Sequence, residues 1–213
     1  MRIIGFNGPP RSGKDTLAKA IHEIDSDEYQ FLPGPKYNRE HGAPFDWGHP
    51  SEIVSRACIM PIRKAAFQLL GKAYNEVEYE QIKDQKHQEF LGDTLRQFMI
   101  RFMEEFIKPR YGKDFAVRAM TADLKDSVRL HDNGRLLLVT DIGFQEEVEY
   151  LEQLVGYESF CLVRVQRDGT SFKGDSRSYV KAMQAVSFVN SSDPLTGAKT
   201  IMQVVHDLYG WEF

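Results

Sequence analysis

The stretch Gly8-Pro9-Pro10-Arg11-Ser12-Gly13-Lys14-Asp15-Thr16 follows the apolar run Ile3-Ile4-Gly5-Phe6 and precedes Leu17, Ala18, Ile21 and Ile24, which recur at helical spacing. A loop so placed, between a strand and an amphipathic helix, is built to bind phosphate. Gly8 and Gly13 bracket it and let successive backbone N–H groups face one anion, while the new helix points its positive end at the same charge. Lys14 then reaches the outer phosphates of a polyphosphate. The candidate phosphate-binding residues are Gly8, Ser12, Gly13, Lys14, Asp15 and Thr16, together with Arg11, which either contacts phosphate or projects outward.

Loops of this kind usually place Ser or Thr after the lysine, where the hydroxyl meets Mg²⁺. Here the residue is Asp15, with Thr16 one place later. Both are hard oxygen donors, so Asp15 and Thr16 are the candidate metal ligands, either directly or through water. A carboxylate at that position also favours the helix N-terminus without any metal.

Phosphoryl transfer requires two anionic substrates to be positioned and the charge on the transferring group to be neutralised. Asp141 ends the apolar run Leu136-Leu137-Leu138-Val139 and is the candidate for orienting Mg²⁺, its waters or the acceptor. Arginine suits phosphate because its planar fork binds two oxygens and stays charged. Arg96 lies beside the stripe residue Leu95; Arg63 and Lys64 open a helix; Arg110 and Lys113 flank Tyr111-Gly112, where they also favour a helix C-terminus. Arg167 and Arg177 lie in a Gly-containing basic segment, a flap able to close on the transferring phosphate.

The elements that must carry these residues alternate. Strands are expected at Arg2 to Phe6, Val54 to Ile59, Leu136 to Asp141, Phe160 to Val165 and Val186 to Val189. Helices are expected from about Lys14, over Ile62 to Leu70 with Gly71 as the stop, from about Phe90 to Ile107, over Phe144 to Val155 and over Ile201 to Leu208. The stripe Leu91, Leu95, Phe98, Met99, Phe102, Met103 and Phe106 of the long helix is expected to pack into the core. Strands separated by helices need crossovers, so the expected fold is α/β, with about five mostly parallel strands flanked by helices in three layers. Ligands then bind beyond the carboxyl ends of the strands, where the loop and Asp141 can meet. Residues 25–51 form an inserted segment, longer than an ordinary connection, and 167–179 a lid.

The 213 residues suffice for one well-buried domain over 1–213, and a net charge of −4 with interspersed signs argues against nucleic acid as the main partner. Cys58 and Cys161 lie in apolar strand-like runs without metal-ligand spacing, which favours reduced core thiols. No apolar run approaches the ~20 residues that span a bilayer, so a cytoplasmic protein without a membrane partner is expected.

The loop ending Gly13-Lys14-Asp15-Thr16 resembles that of the deoxynucleoside monophosphate kinases of tailed bacteriophages, within the P-loop nucleoside monophosphate kinase group. Pro61-Ile62-Arg63-Lys64 before a helix ending at Gly71, Thr94-Leu95-Arg96-Gln97, Thr140-Asp141 followed by Phe144 and Glu146-Glu147, and Val189-Asn190-Ser191 extend the likeness over most of the chain except 25–51. The resemblance implies ATP- and Mg²⁺-dependent phosphorylation of a (deoxy)nucleoside monophosphate to the diphosphate. It implies Arg96 on the acceptor phosphate, Arg63, Lys64 and Arg110 in a helical acceptor region over 61–130 with Asp141 facing the acceptor from its strand end, Arg167 and Arg177 in the lid, and Asn190 beside adenine. The setting would be the cytoplasm, that of the host if the gene is a phage's, and a homodimer is compatible with it. One departure stands out: similar sequences carry Asp-x-Arg where this chain has Asp141-Ile142-Gly143, and Arg63, Arg96 or Arg110 are the expected substitutes. A kinase for another phosphorylated acceptor, such as phosphomevalonate, and a nucleotide-binding protein without turnover are the competing readings.

Overall fold

The structure is a computed structural model that describes residues 1–28, 52–127, 135–191 and 193–211. Residues 29–51, most of the expected inserted segment, lie outside that description. Two compact units are distinguished, Met1–Arg56 with Leu130–Phe213, and Ala57–Arg129.

The first unit is a five-stranded sheet in the order β2-β3-β1-β4-β5, in which every pairing is parallel. Its strands are β1 (Arg2–Asn7), β2 (Glu52–Arg56), β3 (Arg135–Ile142), β4 (Phe160–Gln166) and β5 (Ala185–Val189). Alternation along the strands splits their side chains between two faces. Ile4, Phe6, Leu136, Leu138, Cys161, Val163 and Val165 form one core with Leu17 and Ile21 of α1 (Lys14–Glu28) and Ala198, Ile201 and Val205 of α8 (Pro194–Tyr209). The opposite face carries Ile3, Gly5 and Phe160, and α7 (Gln145–Val155) packs on β1 and β4 through the buried Val148 and Leu151. Gly5 has no room for a side chain, because a Cβ there would lie 2.3 Å from Ile142 Cδ1. The sheet is thus α/β, flanked by helices, as the alternating pattern predicts.

The second unit holds α2 (Met60–Leu69), α3 (Glu76–Ile82), α4 (Leu95–Arg101), α5 (Lys108–Tyr111) and α6 (Phe115–Ser127). Gly71 stops α2 as expected: its φ is +69°, and the Lys72 N–H donates back to Phe67 O at 3.0 Å.

Two expectations need correction. The second strand covers Glu52–Arg56 rather than Val54 to Ile59, because the Met60 N–H already turns back to Ala57 O and Pro61 pre-sets the first turn of α2. Cys58 therefore sits in a buried turn and not in a strand. The long helix begins at Leu95 rather than near Phe90. Thr94 accepts from the Gln97 N–H and the Gln97 side chain returns to the Thr94 N–H, a reciprocal cap that starts the helix there. Leu91 precedes it with a φ of +55° and is 99% exposed, so it leaves the expected core stripe. The rest of that stripe divides: Leu95, Met99 and Met103 are buried, whereas Phe98, Phe102 and Phe106 stack in series on a wetter side. At Phe102–Ile107 the helix widens to π pitch before continuing as α5.

Candidate phosphate-binding site

Asn7 ends β1 and is completely buried. Its Nδ2 donates to Ile142 O at 2.9 Å and to Ser178 O at 3.0 Å, and its Oδ1 accepts from the Val180 N–H at 3.2 Å. One amide thereby ties the start of the phosphate loop to the end of β3 and to the segment after β4. Sequence reasoning passed over Asn7. The available signal was a buried-type position at a strand end, occupied by an amide directly before the first loop glycine.

The loop itself is tightly wound. Ser12 N–H donates to Pro9 O at 3.2 Å, the Leu17 N–H begins α1 on Gly13 O at 2.9 Å, and Asn190 Nδ2 donates to Ser12 O at 2.8 Å. Gly13 has φ +93°, and a Cβ there would lie 2.2 Å from Asn190 Nδ2. At Gly8 a Cβ would lie 2.4 Å from Val165 O. Gly8 is therefore required by its approach to the Val165 carbonyl and Gly13 by its left-handed φ, and Asn190 acts on the loop backbone from the end of β5. Arg11 takes a left-handed φ of +66° and is exposed.

Lys14 is buried and folds back over the loop, its Nζ donating to Gly8 O at 2.8 Å and Pro9 O at 2.9 Å. Burial first, and the Arg177 guanidinium second, hold its pKa below the ordinary lysine value; Asp15, Asp141 and Asp175 act the other way. The first-turn N–H groups of α1 have no acceptor within the helix, which makes the loop's concave side a ready anion cradle. Asp15 and Thr16 are exposed on that first turn. Among the described residues no three His, Cys, Asp or Glu side chains gather as a metal site. Asp15 and Thr16 supply hard oxygens of the kind that Mg²⁺ takes from a protein when phosphates and water complete its shell.

Arg177 is the second cation of this site. Its Nε donates to Asp175 Oδ1 at 2.9 Å and its Nη2 to Asp175 Oδ2 at 2.6 Å, a bidentate pair. Its stem covers Gly143: a Cβ at 143 would lie 2.3 Å from Arg177 Cδ and 2.4 Å from Cγ. The stem of an arginine from residue 177 thus fills the space over Gly143. Asp175 first, then Asp141 and Glu147 favour its charged form against desolvation. Asp141, at the end of β3, acts electrostatically on both Lys14 and Arg177 and so belongs to the same crevice. Glu147 is buried and accepts from the Gly143 and Phe144 N–H groups at 2.8 and 3.0 Å, fixing the turn from β3 into α7. Arg167, by contrast, is exposed, and its carbonyl closes a turn with Thr170.

The remaining candidates belong to the second unit. Arg63 donates to Glu76 Oε1 at 3.3 Å and lies over the Tyr79 ring at 4.4 Å; Arg96 donates to Asp84 Oδ1 at 2.7 Å and its charge also acts with Tyr79. Arg63 therefore lies on the Tyr79 ring, while Arg96 is held by Asp84. Beside Arg63, burial and the Glu76 carboxylate raise the Tyr74 pKa to about 12. Lys64 pairs with Asp123 at 2.7 Å on the surface, and Arg110 caps its own helix by donating to Phe106 O at 3.2 Å. Arg110 thus takes the macrodipole role that its position at a helix end allows.

No family model matches the chain, and no curated protein matches it. Among solved structures it is similar to an unliganded sugar kinase from Janibacter sp., at 11% identity and a TM-score of 0.40, over 100% of this chain and 99% of that one. A likeness of that degree carries no argument about activity. No helix among the described residues is long and apolar enough to cross a membrane.

Proposed function

We propose that the protein transfers the γ-phosphoryl group of ATP to a (deoxy)nucleoside monophosphate. The observation that carries the donor half is the meeting of a closed, glycine-wound loop with Lys14, Arg177 and Asp141 beyond the carboxyl ends of parallel strands. The acceptor half rests on the resemblance of Thr94-Leu95-Arg96-Gln97 and Pro61-Ile62-Arg63-Lys64 to nucleotide kinases.

In this reading the loop N–H groups and the first turn of α1 hold the donor phosphates, and Lys14 leaves Gly8 O and Pro9 O to follow the charge outward. The bond between the γ-phosphorus and its bridging oxygen breaks as an acceptor phosphate oxygen attacks in line. That oxygen is already anionic, so no general base is needed, and Asp141 serves to orient rather than to take a proton. Mg²⁺, held through Asp15 or Thr16 when bound, would neutralise charge on the donor phosphates. Arg177 stabilises the charge spread over the transferring group, and Arg96 positions the acceptor.

The test is ADP release from ATP with each deoxynucleoside monophosphate and with phosphomevalonate. Turnover with one or more of the nucleotides supports the reading. Turnover with phosphomevalonate alone moves the acceptor class, and ATP binding without release for any acceptor leaves a binding protein.

A further inference from the structure

Arg177 is held from several sides. Its stem lies on Gly143, the following Ser178 N–H donates to Gly143 O at 3.4 Å, and Ser178 O and the Val180 N–H are both bound by buried Asn7. Asp175 is held differently. Its carboxylate bonds are to Arg177, including the Arg177 backbone N–H at 3.0 Å, and its own N–H closes a turn on Phe172 O at 2.9 Å. Gly174 before it has φ +81°, with no atom within 4 Å of where a Cβ would stand. The cation is fixed by contacts outside the pair, whereas the carboxylate is held by its bonds to Arg177.

The bidentate geometry that Asp175 makes with the guanidinium is the one a phosphate makes. The same carboxylate acts electrostatically on Lys14. We infer that Asp175 is an internal anion that competes with the donor phosphate for Arg177 and gives the guanidinium up to it, turning about Gly174. The inference rests on the phosphoryl-transfer reading above. A protein whose competent state is only a fraction of the population binds its ligand more weakly by that fraction, so the carboxylate sets donor affinity without touching the donor.

The test is calorimetric binding of MgATP to the full chain and to Asp175→Asn, Arg177→Ala and the double variant, with Lys14→Ala as control. Asparagine keeps the shape and one acceptor for the Arg177 backbone N–H, so the turn is retained. The expected result is MgATP binding about tenfold tighter in Asp175→Asn, a gain absent when Arg177 is alanine. Unchanged or weaker binding in Asp175→Asn, with wild-type binding present and lost in Lys14→Ala, overturns the inference and leaves the donor site standing. The same gain in the Arg177→Ala background also overturns it, because removal of a negative charge alone would then account for the effect. Wild-type protein that does not bind MgATP overturns the phosphoryl-transfer reading and this inference with it.

Discussion

Gly143 and Arg177 share one volume: the place where residue 143 would carry a Cβ is filled by the methylene stem of Arg177, 34 residues further along the chain. The side chain that residue 143 lacks is what allows the second cation of the candidate phosphate site to lie over the end of β3. An arginine at 143 and the present Arg177 could not both occupy the site.

This relationship makes the glycine testable. Gly143 does not have a left-handed φ, so alanine is admissible for its backbone and the objection is steric alone. The clash includes Arg177 Cβ at 3.0 Å, which cannot retreat by a rotamer change. Gly143→Ala should cost about 1–3 kcal/mol of stability by overpacking and should lower phosphoryl transfer by displacing the guanidinium. The double variant Gly143→Ala/Arg177→Ala should be no less active than Arg177→Ala alone. Additive losses in kcat would separate the two positions.

Asn7 should be a stability residue with a local signature. Replacement by alanine leaves Ile142 O, Ser178 O and the Val180 N–H without their shared partner, and a single buried group so stranded costs about 1–3 kcal/mol. Urea unfolding of Asn7→Ala should show a loss at the upper end of that range. Limited proteolysis should cut first within 167–180, because the amide is what holds that segment to β1. Cleavage elsewhere at the wild-type pattern would deny the amide this role.

The strand and helix alternation, the parallel sheet and the position of the loop were legible because each rests on local periodicity and glycine placement. Leu91 was misread because it falls on the helical stripe by spacing, whereas the Thr94–Gln97 cap starts the helix after it. Asn7 and Asp175 were invisible for another reason: their roles depend on partners brought by the fold, such as Ile142 O and the Arg177 guanidinium. Arg177 was legible as a cation and illegible in place, since nothing in a linear pattern says that its stem fills the gap over Gly143. Arg110 looked like both a ligand and a helix cap, and its bond to Phe106 O is one that the second role makes.

The Asp175–Arg177 pair should give the fold an acid limb. Hydrogen bonds from Arg177 hold the Asp175 carboxyl below the ordinary carboxylate value. A depressed folded pKa contributes stability that is fully present above the unfolded value of about 3.9 and is lost as the pH falls through the folded value. The stability difference between wild type and Asp175→Asn, read from urea midpoints, should therefore hold above about pH 5 and shrink as the pH falls below about 4. A difference that stays constant or grows on acidification would show that the carboxyl is not held ionised by the fold.

Arg96 offers the cleanest separation of fold from function in the second unit. Its guanidinium pairs with Asp84 across side chains that are about half exposed or more, an arrangement that solvent screens, and its backbone N–H bond to Lys83 O survives any substitution except proline. The Thr94–Gln97 cap that starts its helix is also untouched by a change at 96. Arg96→Ala should therefore leave the melting temperature close to that of wild type while raising the KM for the acceptor nucleotide by about 10–100-fold, as loss of a charge-assisted phosphate contact does, with the KM for ATP unchanged. Arg96→Lys should recover only part of the loss, because an ammonium cannot grip two oxygens in one plane. Unchanged acceptor kinetics in Arg96→Ala would move the acceptor contact to another cation, and Arg63, which lies over the Tyr79 ring in the same unit, would be the next position to replace.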